Sequence, residues 1–263
     1  MLGAAILGFV QGLTEFLPIS SSGHLVLLQQ FIAVEGDSLA FDLVLHIGTL
    51  IPVLILFRAD LLTMLRDPFV GQGPLLSRPG VRWIGFVLLA SVPTALMGLA
   101  LEDYFESMFS SPLALSWQFV VTAVVLQLTA RFPAGTRDLD AMTWRDALLI
   151  GIAQGVSILP AVSRSGATIA LAMFLGLRRD LAGRFSFVVS IPAIAGAMLL
   201  KLDDVTVDPA VAPAWALGGV VSLVVGFVSL VFLLRVIRAG DFSKFAWYCW
   251  GIAAVSLVLG LLG

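Results

Sequence analysis

Long uncharged apolar stretches constrain this chain more than any other feature of its sequence. Of its 263 residues, 59% are hydrophobic and 12% are charged, whereas about a quarter of the residues in a soluble domain are charged. A helix needs about 20 mostly apolar residues to cross the hydrocarbon core of a bilayer. Six stretches are predicted to do so, namely 39–57, 83–100, 113–131, 185–200, 213–236 and 245–262. We therefore expect an all-α polytopic membrane protein, with residues 1–263 forming a single integral membrane domain.

Two further apolar segments, 1–34 and 144–177, are interrupted near the middle by small polar residues. The interruptions run from Pro18 to Gly23 and from Pro160 to Gly166. Each half then has about 15 residues, or about 22 Å of helix, which is too short for a hydrocarbon core of about 30 Å. We expect both segments to form re-entrant helix hairpins.

The distribution of charge predicts the side on which each hairpin opens. Arg and Lys accumulate in the cytoplasmic loops of membrane proteins. Here they form four groups, which are Arg58, Arg66, Arg78 and Arg82; Arg131, Arg137 and Arg145; Arg178, Arg179 and Arg184; and Arg235, Arg238 and Lys244. Acidic residues dominate two intervening loops, with Glu102, Asp103 and Glu106 in one and Asp203, Asp204 and Asp208 in the other. The alternation predicts that segment 1–34 opens outward and that segment 144–177 opens to the cytoplasm.

The two interrupted segments are also similar in sequence. Without gaps, at an offset of 143 residues, Gly8, Gln11, Gly12, Ser20, Ser22, Gly23 and Leu28 match Gly151, Gln154, Gly155, Ser163, Ser165, Gly166 and Leu171. Because the copies are expected to insert from opposite sides, they predict an inverted-topology repeat. Such repeats place a site near the bilayer midplane, where broken helices meet.

The chemically active residues are divided between the two copies. Glu15, Ser21 and His24 in the first copy correspond to Ile158, Arg164 and Ala167 in the second. An ionisable side chain that faces lipid costs roughly 2.5–3.5 kcal/mol, so those inside membranes mark function by default. We expect Glu15 and Arg164 to face one polar cavity. The alternative is a buried ion pair that only fixes the packing of the hairpins.

Both small-residue turns are suited to binding phosphate. Backbone N–H groups at the start of a helix bind anions, and glycine permits close approach. The residues concerned are Ser20, Ser22 and Gly23 in the first copy and Ser163, Ser165 and Gly166 in the second. Arg164 can grip two phosphate oxygens at once. The alternative is that these residues only cap helices and let them pack closely.

Gln11 and Glu15 are four residues apart and therefore project from one helix face. A carboxylate and an amide oxygen suit a hard cation that completes its shell with water and phosphate. We expect Mg²⁺ or Ca²⁺ there, against the alternative of an ordinary polar helix face. His24 lies close to Ser21 and is a candidate proton shuttle or nucleophile. His46 is more simply a packing or substrate-facing group.

Two motifs in this order resemble those of a known enzyme family. The run from Gln11 to His24 is similar to (Glu/Gln)-x-x-x-Glu followed by Ser-Ser-x-Gly-His, and the run from Pro160 to Thr168 to Pro-Gly-x-Ser-Arg-Ser-Gly-x-Thr. Both are motifs of the bacterial undecaprenyl-diphosphate phosphatases, the bacitracin-resistance family. The likeness continues through His46-Ile-Gly-Thr-Leu and covers nearly the whole chain.

Three positions depart from the family pattern. Ala161 replaces the usual Gly of the second motif, and Arg184 stands where an acidic residue is common. The sequence Tyr248-Cys249-Trp250 differs from the Tyr-Arg-like end of many members. The first departure could stiffen the phosphate loop, and the second removes any acidic role there.

The resemblance implies hydrolysis of a C55 isoprenyl diphosphate to the monophosphate, which recycles the lipid carrier of cell-wall synthesis. In that reaction Glu15, Ser21, His24 and Arg164 would be catalytic, and Thr168 would join the phosphate-binding residues. Ser21 is favoured as the nucleophile with His24 assisting, and His24 as the nucleophile stays open.

The resemblance also implies a location and a set of partners. We expect a multi-pass protein of the bacterial inner (plasma) membrane, with the site opening to the outer, periplasmic face. Its partners would be a polyprenyl diphosphate and membrane lipids rather than nucleic acid, and homo-oligomers are left open. The competing hypothesis is a flippase or transporter of a polyprenyl phosphate lipid, because inverted repeats are also a transporter architecture.

Overall fold

The computed structural model describes residues 1–108, 112–201 and 208–262, with the side chains of Glu102 and Glu106 left out. These residues form twelve α-helices and no β-strand. The helices are α1 Leu2–Phe16, α2 Ser21–Gln29, α3 Ser38–Leu56, α4 Arg58–Val70, α5 Pro79–Ala100, α6 Glu102–Ser107, α7 Pro112–Leu128, α8 Trp144–Val156, α9 Arg164–Phe174, α10 Arg179–Leu200, α11 Ala212–Ala239 and α12 Phe245–Leu262. Asp203 and Asp204 of the predicted outer loop lie outside the described residues.

In the described part of the chain, six helices are long and apolar enough to cross a membrane. They are Ser38–Leu56, Pro79–Ala100, Pro112–Arg131, Arg179–Leu200, Ala212–Ala239 and Phe242–Leu262. Each coincides with one predicted span, so the all-α class and the six spans are confirmed.

Two spans begin several residues earlier than the apolar pattern indicates, because charged side chains occupy their first turns. Arg82 of α5 donates to the carbonyl oxygens of Leu139 and Asp140 at 3.0 and 3.1 Å. Arg184 of α10 pairs with Asp60. Helix α4 was not predicted, because its charged residues, such as Arg58 and Arg66, indicated a cytoplasmic loop.

Each interrupted segment folds into two short helices joined by a turn. The second helix begins at residue 21 in the first copy and at residue 164 in the second, which preserves the offset of the sequence repeat. Ser20 and Ser163 cap these helices, since their hydroxyl oxygens accept the N–H groups of Gly23 at 3.4 Å and Gly166 at 3.0 Å. The entry of the two hairpins from opposite faces of the bilayer stays a prediction.

Each copy packs its first helix against a helix from the other half of the chain. Helix α1 lies on α11, and α8 lies on α5. A Cβ at Gly8 would collide with the backbone of Gly218, and one at Gly151 with the backbone of Ala90. These matched glycines therefore allow close helix packing, as small residues do in membranes. This packing accompanies direct contact between the two turns.

Candidate active site

The two turns contact each other directly. The hydroxyls of Ser20 and Ser22 donate to the carbonyl oxygen of Pro160 at 2.5 and 2.6 Å. From the other turn, the hydroxyl of Ser165 donates to the carbonyl oxygen of Leu17 at 3.5 Å. The structure thus brings the two motifs into one site. It also uses three of the serines predicted to bind phosphate to hold the turns together.

The carboxylate of Glu15 is the centre of this site. It is 6% exposed, and its Oε1 accepts a hydrogen bond from the Arg164 guanidinium of the opposite turn. Its Oε2 accepts the hydroxyl of Ser21 at 2.6 Å and the amide of Gln11 at 3.1 Å. Glu15 and Arg164, which the sequence separates by 149 residues, are therefore in contact.

His24 is held by two groups other than Ser21. Its Nδ1 lies 2.6 Å from the carbonyl oxygen of Ser20, and its Nε2 lies 2.7 Å from the hydroxyl of Tyr248 on α12. The edge of the imidazole also meets the ring of Phe119, with centroids 5.6 Å apart. In this geometry the Ser21 hydroxyl has Glu15 as its hydrogen-bond acceptor, and His24 has separate partners.

The first turn carries unusual backbone geometry. Ser20 has a φ of 67°, and it is the one non-glycine residue of the described chain with a positive φ. Such a conformation is uncommon for side chains other than Asn and Asp and persists where surrounding contacts impose it. Here the Ser20 hydroxyl binds Pro160, and its carbonyl oxygen binds His24. This backbone bend presents the next residue, Ser21, to Glu15.

The second turn is braced by α7. The side-chain oxygen of Gln118 accepts the N–H of Ala161 at 2.9 Å. The hydroxyl of Thr122 accepts the N–H of Ser163 at 3.1 Å and donates to the carbonyl oxygen of Ala161 at 2.9 Å. Sequence reasoning missed both α7 residues. The sequence signal for them was a pair of polar residues four positions apart in an apolar stretch.

Arg164 begins α9, directly after the cap residue Ser163. Ser163 and Ser165 have their hydroxyl oxygens 3.3 Å apart. Thr168 donates its hydroxyl to the carbonyl oxygen of Arg164 at 2.8 Å, one turn back, and its role in binding phosphate stays a prediction. The N–H groups in the first turn of α9 lack intrahelical acceptors by geometry, as do those of α2. The capping hydroxyls accept the N–H groups of Gly166 and Gly23, and the amides of the two residues before each glycine remain suited to an anion.

The chain is similar to known proteins over nearly its whole length. The sequence model of bacitracin resistance protein BacA matches residues 4–255. The chain belongs to this family. A relative from Carboxydothermus hydrogenoformans called undecaprenyl-diphosphatase is 41% identical over 265 residues, which cover 99% of this chain and 97% of the relative. Relatives of the same name from Desulforapulum autotrophicum (37% identical, 98% and 97% covered) and Desulfosudis oleivorans (42% identical, 97% and 97% covered) are similar throughout.

Two departures from the motifs of the family find a structural explanation. Ala161 is fully buried, and α7 binds both its N–H and its carbonyl oxygen. Arg184 pairs with Asp60, which connects α10 to α4, and it lies 3.6 Å from Asp180 one turn earlier on α10. The guanidinium at position 184 therefore supports helix packing.

Two residues outside the predicted site, His46 and Tyr248, contact residues of the site. His46 on α3 places its Nε2 3.8 Å from Oε2 of Glu15, although it read as a packing or substrate-facing group. Tyr248 reaches His24 from α12. The run His46-Ile-Gly-Thr-Leu was a usable signal for the first, whereas nothing in the sequence connects Tyr248 to the motifs.

The oxygen ligands available at Glu15 and Gln11 suit a hard cation that takes only part of its coordination shell from the protein. The Oε1 atom of Gln11 is buried and has no hydrogen-bond partner. Among the described residues, no group of three or more His, Cys, Asp or Glu side chains is placed to hold a metal. Gln11 presents its amide nitrogen to Glu15 in this structure, and a turn of the amide group would present the oxygen instead. The carboxylate and that amide oxygen would then fit Mg²⁺ or Ca²⁺ whose remaining ligands are water and phosphate.

Proposed function

We propose that this chain hydrolyses undecaprenyl diphosphate to undecaprenyl phosphate and inorganic phosphate, and so recycles the lipid carrier of cell-wall synthesis. One observation carries the proposal. A buried carboxylate accepts the hydroxyl of Ser21 and faces the guanidinium of Arg164, inside a helical bundle suited to a membrane. A hydroxyl nucleophile, its base and a cation suited to phosphate therefore lie together within the bundle. The printed names of the relatives point to the same substrate.

The first step is attack by Ser21 on the terminal phosphorus atom. The Oγ–P bond forms as the bond from that phosphorus to the bridging oxygen breaks, and undecaprenyl phosphate leaves with the bridging oxygen. The proton of the hydroxyl passes to Oε2 of Glu15, which already accepts it as a hydrogen bond at 2.6 Å. A base within this distance is what an otherwise weak serine nucleophile requires.

The second step returns the enzyme to its starting state. Glu15 passes the proton it took in the first step to the departing undecaprenyl phosphate and is a carboxylate again. It then takes a proton from water as the water oxygen bonds to phosphorus and the P–Oγ bond breaks, and it returns that proton to the Ser21 oxygen as inorganic phosphate leaves. Arg164 and the free N–H groups at the starts of α2 and α9 stabilise the charge on the transferring phosphoryl group in both steps. Such stabilisation is the main way proteins accelerate phosphoryl transfer.

The geometry favours Ser21 over His24 as the nucleophile. The hydroxyl of Ser21 has a carboxylate acceptor, whereas both ring nitrogens of His24 are held by Ser20 and Tyr248. An imidazole can attack phosphorus only with a nitrogen lone pair that is free to point at it. We assign His24 to the support of the turn.

Gln11 and Glu15 would hold Mg²⁺ or Ca²⁺ beside the diphosphate. When bound, the cation supplies positive charge to the phosphate oxygens and so lowers the cost of bringing a diphosphate against a carboxylate. Arg164 provides the same sign of charge from the opposite turn. Together the two positive groups would offset the negative charge of the diphosphate.

We further propose a location in the plasma membrane with the site open to the outer face. The support is the charge pattern, in which the Arg-rich loops mark the cytoplasmic side and the first hairpin opens away from them. The polyprenyl chain would remain among the lipid tails while the diphosphate enters between the turns.

The direct test is phosphate release from undecaprenyl diphosphate by the purified protein, with and without a chelator. We expect release that stops with chelator and returns with added Mg²⁺ or Ca²⁺. Glu15→Gln should lose at least about 10³-fold in turnover, because the base and a cation ligand disappear together. Glu35→Gln, at an exposed acid outside the site, is the matched control and should keep parental turnover.

Two results would contradict the proposed reaction or its assigned base, and a third would contradict the cation site alone. Movement of a polyprenyl phosphate across vesicles without phosphate release would indicate a transporter. Full activity of Glu15→Gln would remove the assigned base. Release unaffected by chelator would exclude the cation site while leaving the rest of the mechanism in place.

A further inference from the structure

Tyr248 lies on the outer surface of the helical bundle and contacts His24, which follows the Ser20–Gly23 turn. Its side chain is 48% exposed, whereas His24 beneath it is 7% exposed. The two rings are nearly parallel, at 18°, with centroids 5.6 Å apart. The phenol ring of Tyr248 on α12 therefore lies between the His24 imidazole and the exterior of the protein.

The direction of each hydrogen bond along this contact is fixed by chemistry. A backbone carbonyl oxygen can only accept, so Nδ1 of His24, at 2.6 Å from the oxygen of Ser20, carries a hydrogen. In a neutral imidazole Nε2 then bears the lone pair. The Tyr248 hydroxyl, at 2.7 Å from Nε2, must donate.

This chain of bonds ends at the backbone that presents Ser21. The Ser20 carbonyl oxygen that receives the His24 hydrogen belongs to the residue with a φ of 67°. An uncommon backbone conformation persists only when neighbouring contacts hold it. The orientation of the Ser21 hydroxyl toward Glu15 thus depends on a ring whose far nitrogen is held by Tyr248.

We propose that Tyr248 is a positioning residue of the active site. Its hydroxyl fixes the tautomer and the rotation of His24, and His24 in turn holds the strained Ser20 backbone that directs Ser21 at Glu15. This inference rests on the proposed phosphatase function for its kinetic consequence. Its structural core, the hold of Tyr248 on His24, can be measured without turnover.

The kinetic test is Tyr248→Phe, which keeps the ring and removes only the hydroxyl. Loss of one hydrogen bond that orients a catalytic group should lower kcat roughly five- to tenfold, with KM changed less than about twofold. The chain has one other tyrosine, Tyr104, which is 51% exposed. Tyr104→Phe is the matched control and should leave both constants at parental values.

A double mutant separates positioning from general destabilisation. If Tyr248 acts through His24, then Tyr248→Phe should cost no further activity in a His24→Ala background, because coupled residues are non-additive. Independent losses that multiply in the double mutant would overturn the inference, and so would a kcat for Tyr248→Phe equal to that of the parent.

A chemical test reads the same contact without any turnover. The chain has two histidines, and their carbethoxylation by diethyl pyrocarbonate can be followed separately by peptide mass spectrometry. Removing the Tyr248 hydroxyl should raise the modification rate of His24 several-fold and leave that of His46 unchanged, and Tyr104→Phe should change neither. An unchanged rate at His24 would refute the hold of Tyr248. A raised rate in a protein whose parent releases no phosphate would retain the hold and refute the proposed function.

Discussion

At the scale of single residues, the carboxylate of Glu15 is tolerated in the interior because donors surround it. A buried charge costs several kcal/mol unless it is paired and hydrogen-bonded. Arg164 supplies the pairing, and Ser21 and Gln11 supply hydrogen bonds. The arrangement that satisfies the charge is also the one that activates the hydroxyl.

Ser21 carries the sharpest prediction at this scale. Ser21→Ala should lose at least about 10³-fold in turnover, because the atom that bonds to phosphorus is absent. Ser20→Ala keeps the Ser21 hydroxyl and should lose much less turnover, while it destabilises by about 1 kcal/mol or more, since Ser20 both caps α2 and binds Pro160. Rapid quenching during turnover followed by mass spectrometry should find phosphate on Ser21. Phosphate on His24, or an active Ser21→Ala, would reverse the assignment of the nucleophile.

The charged and nucleophilic residues of this site were predictable because they differ between two similar segments. Glu15, Ser21 and Arg164 have no counterpart of the same chemistry in the other copy, and charge in an apolar segment is informative by itself. The contacts that Tyr248 and Gln118 make were not predictable. Their partners lie 224 and 43 residues away in the sequence, and such distant contacts leave no local pattern.

At the scale of helices, α1 packs closely on α11 and α8 packs closely on α5, so each hairpin is held by a helix from the other half of the chain. Length and apolarity, which are local properties, predicted the six spans. The pairing of α8 with α5 was not predictable, because it depends on which small residues face each other. The glycines were recognised as a repeat, and the structure shows what they contact.

Gly151 tests this packing. A methyl group there would collide with the backbone of Ala90, and overpacking of this kind costs about 1–3 kcal/mol. We expect Gly151→Ala to lower the thermal stability of the purified protein accordingly. The control is Gly85→Ala on α5, where an added Cβ meets nothing within 4 Å and Ala favours the helix by up to about 1 kcal/mol. Equal stabilities for the two variants would contradict the close packing.

At the scale of the whole molecule, one site is assembled from two similar halves that have become chemically different. The first half provides the acid and the hydroxyl, and the second provides the guanidinium. Neither hairpin could perform the proposed reaction alone. The orientation of the halves across the bilayer rests on the positive-inside pattern, and the contact between the turns does not depend on it.

The turnover number of Arg164→Lys tests this division most directly. Lysine keeps the charge but loses the planar fork that contacts two oxygens at once. Arginines in phosphoryl transfer contribute about 10³–10⁵ in rate, so we expect kcat to fall roughly 10²-fold or more with a smaller change in KM. Arg178→Lys, at an exposed position, should keep the parental kcat. If Arg164→Lys and Arg164→Ala both turn over within a few-fold of the parent, Arg164 only fixes the packing of the hairpins and the shared site is refuted.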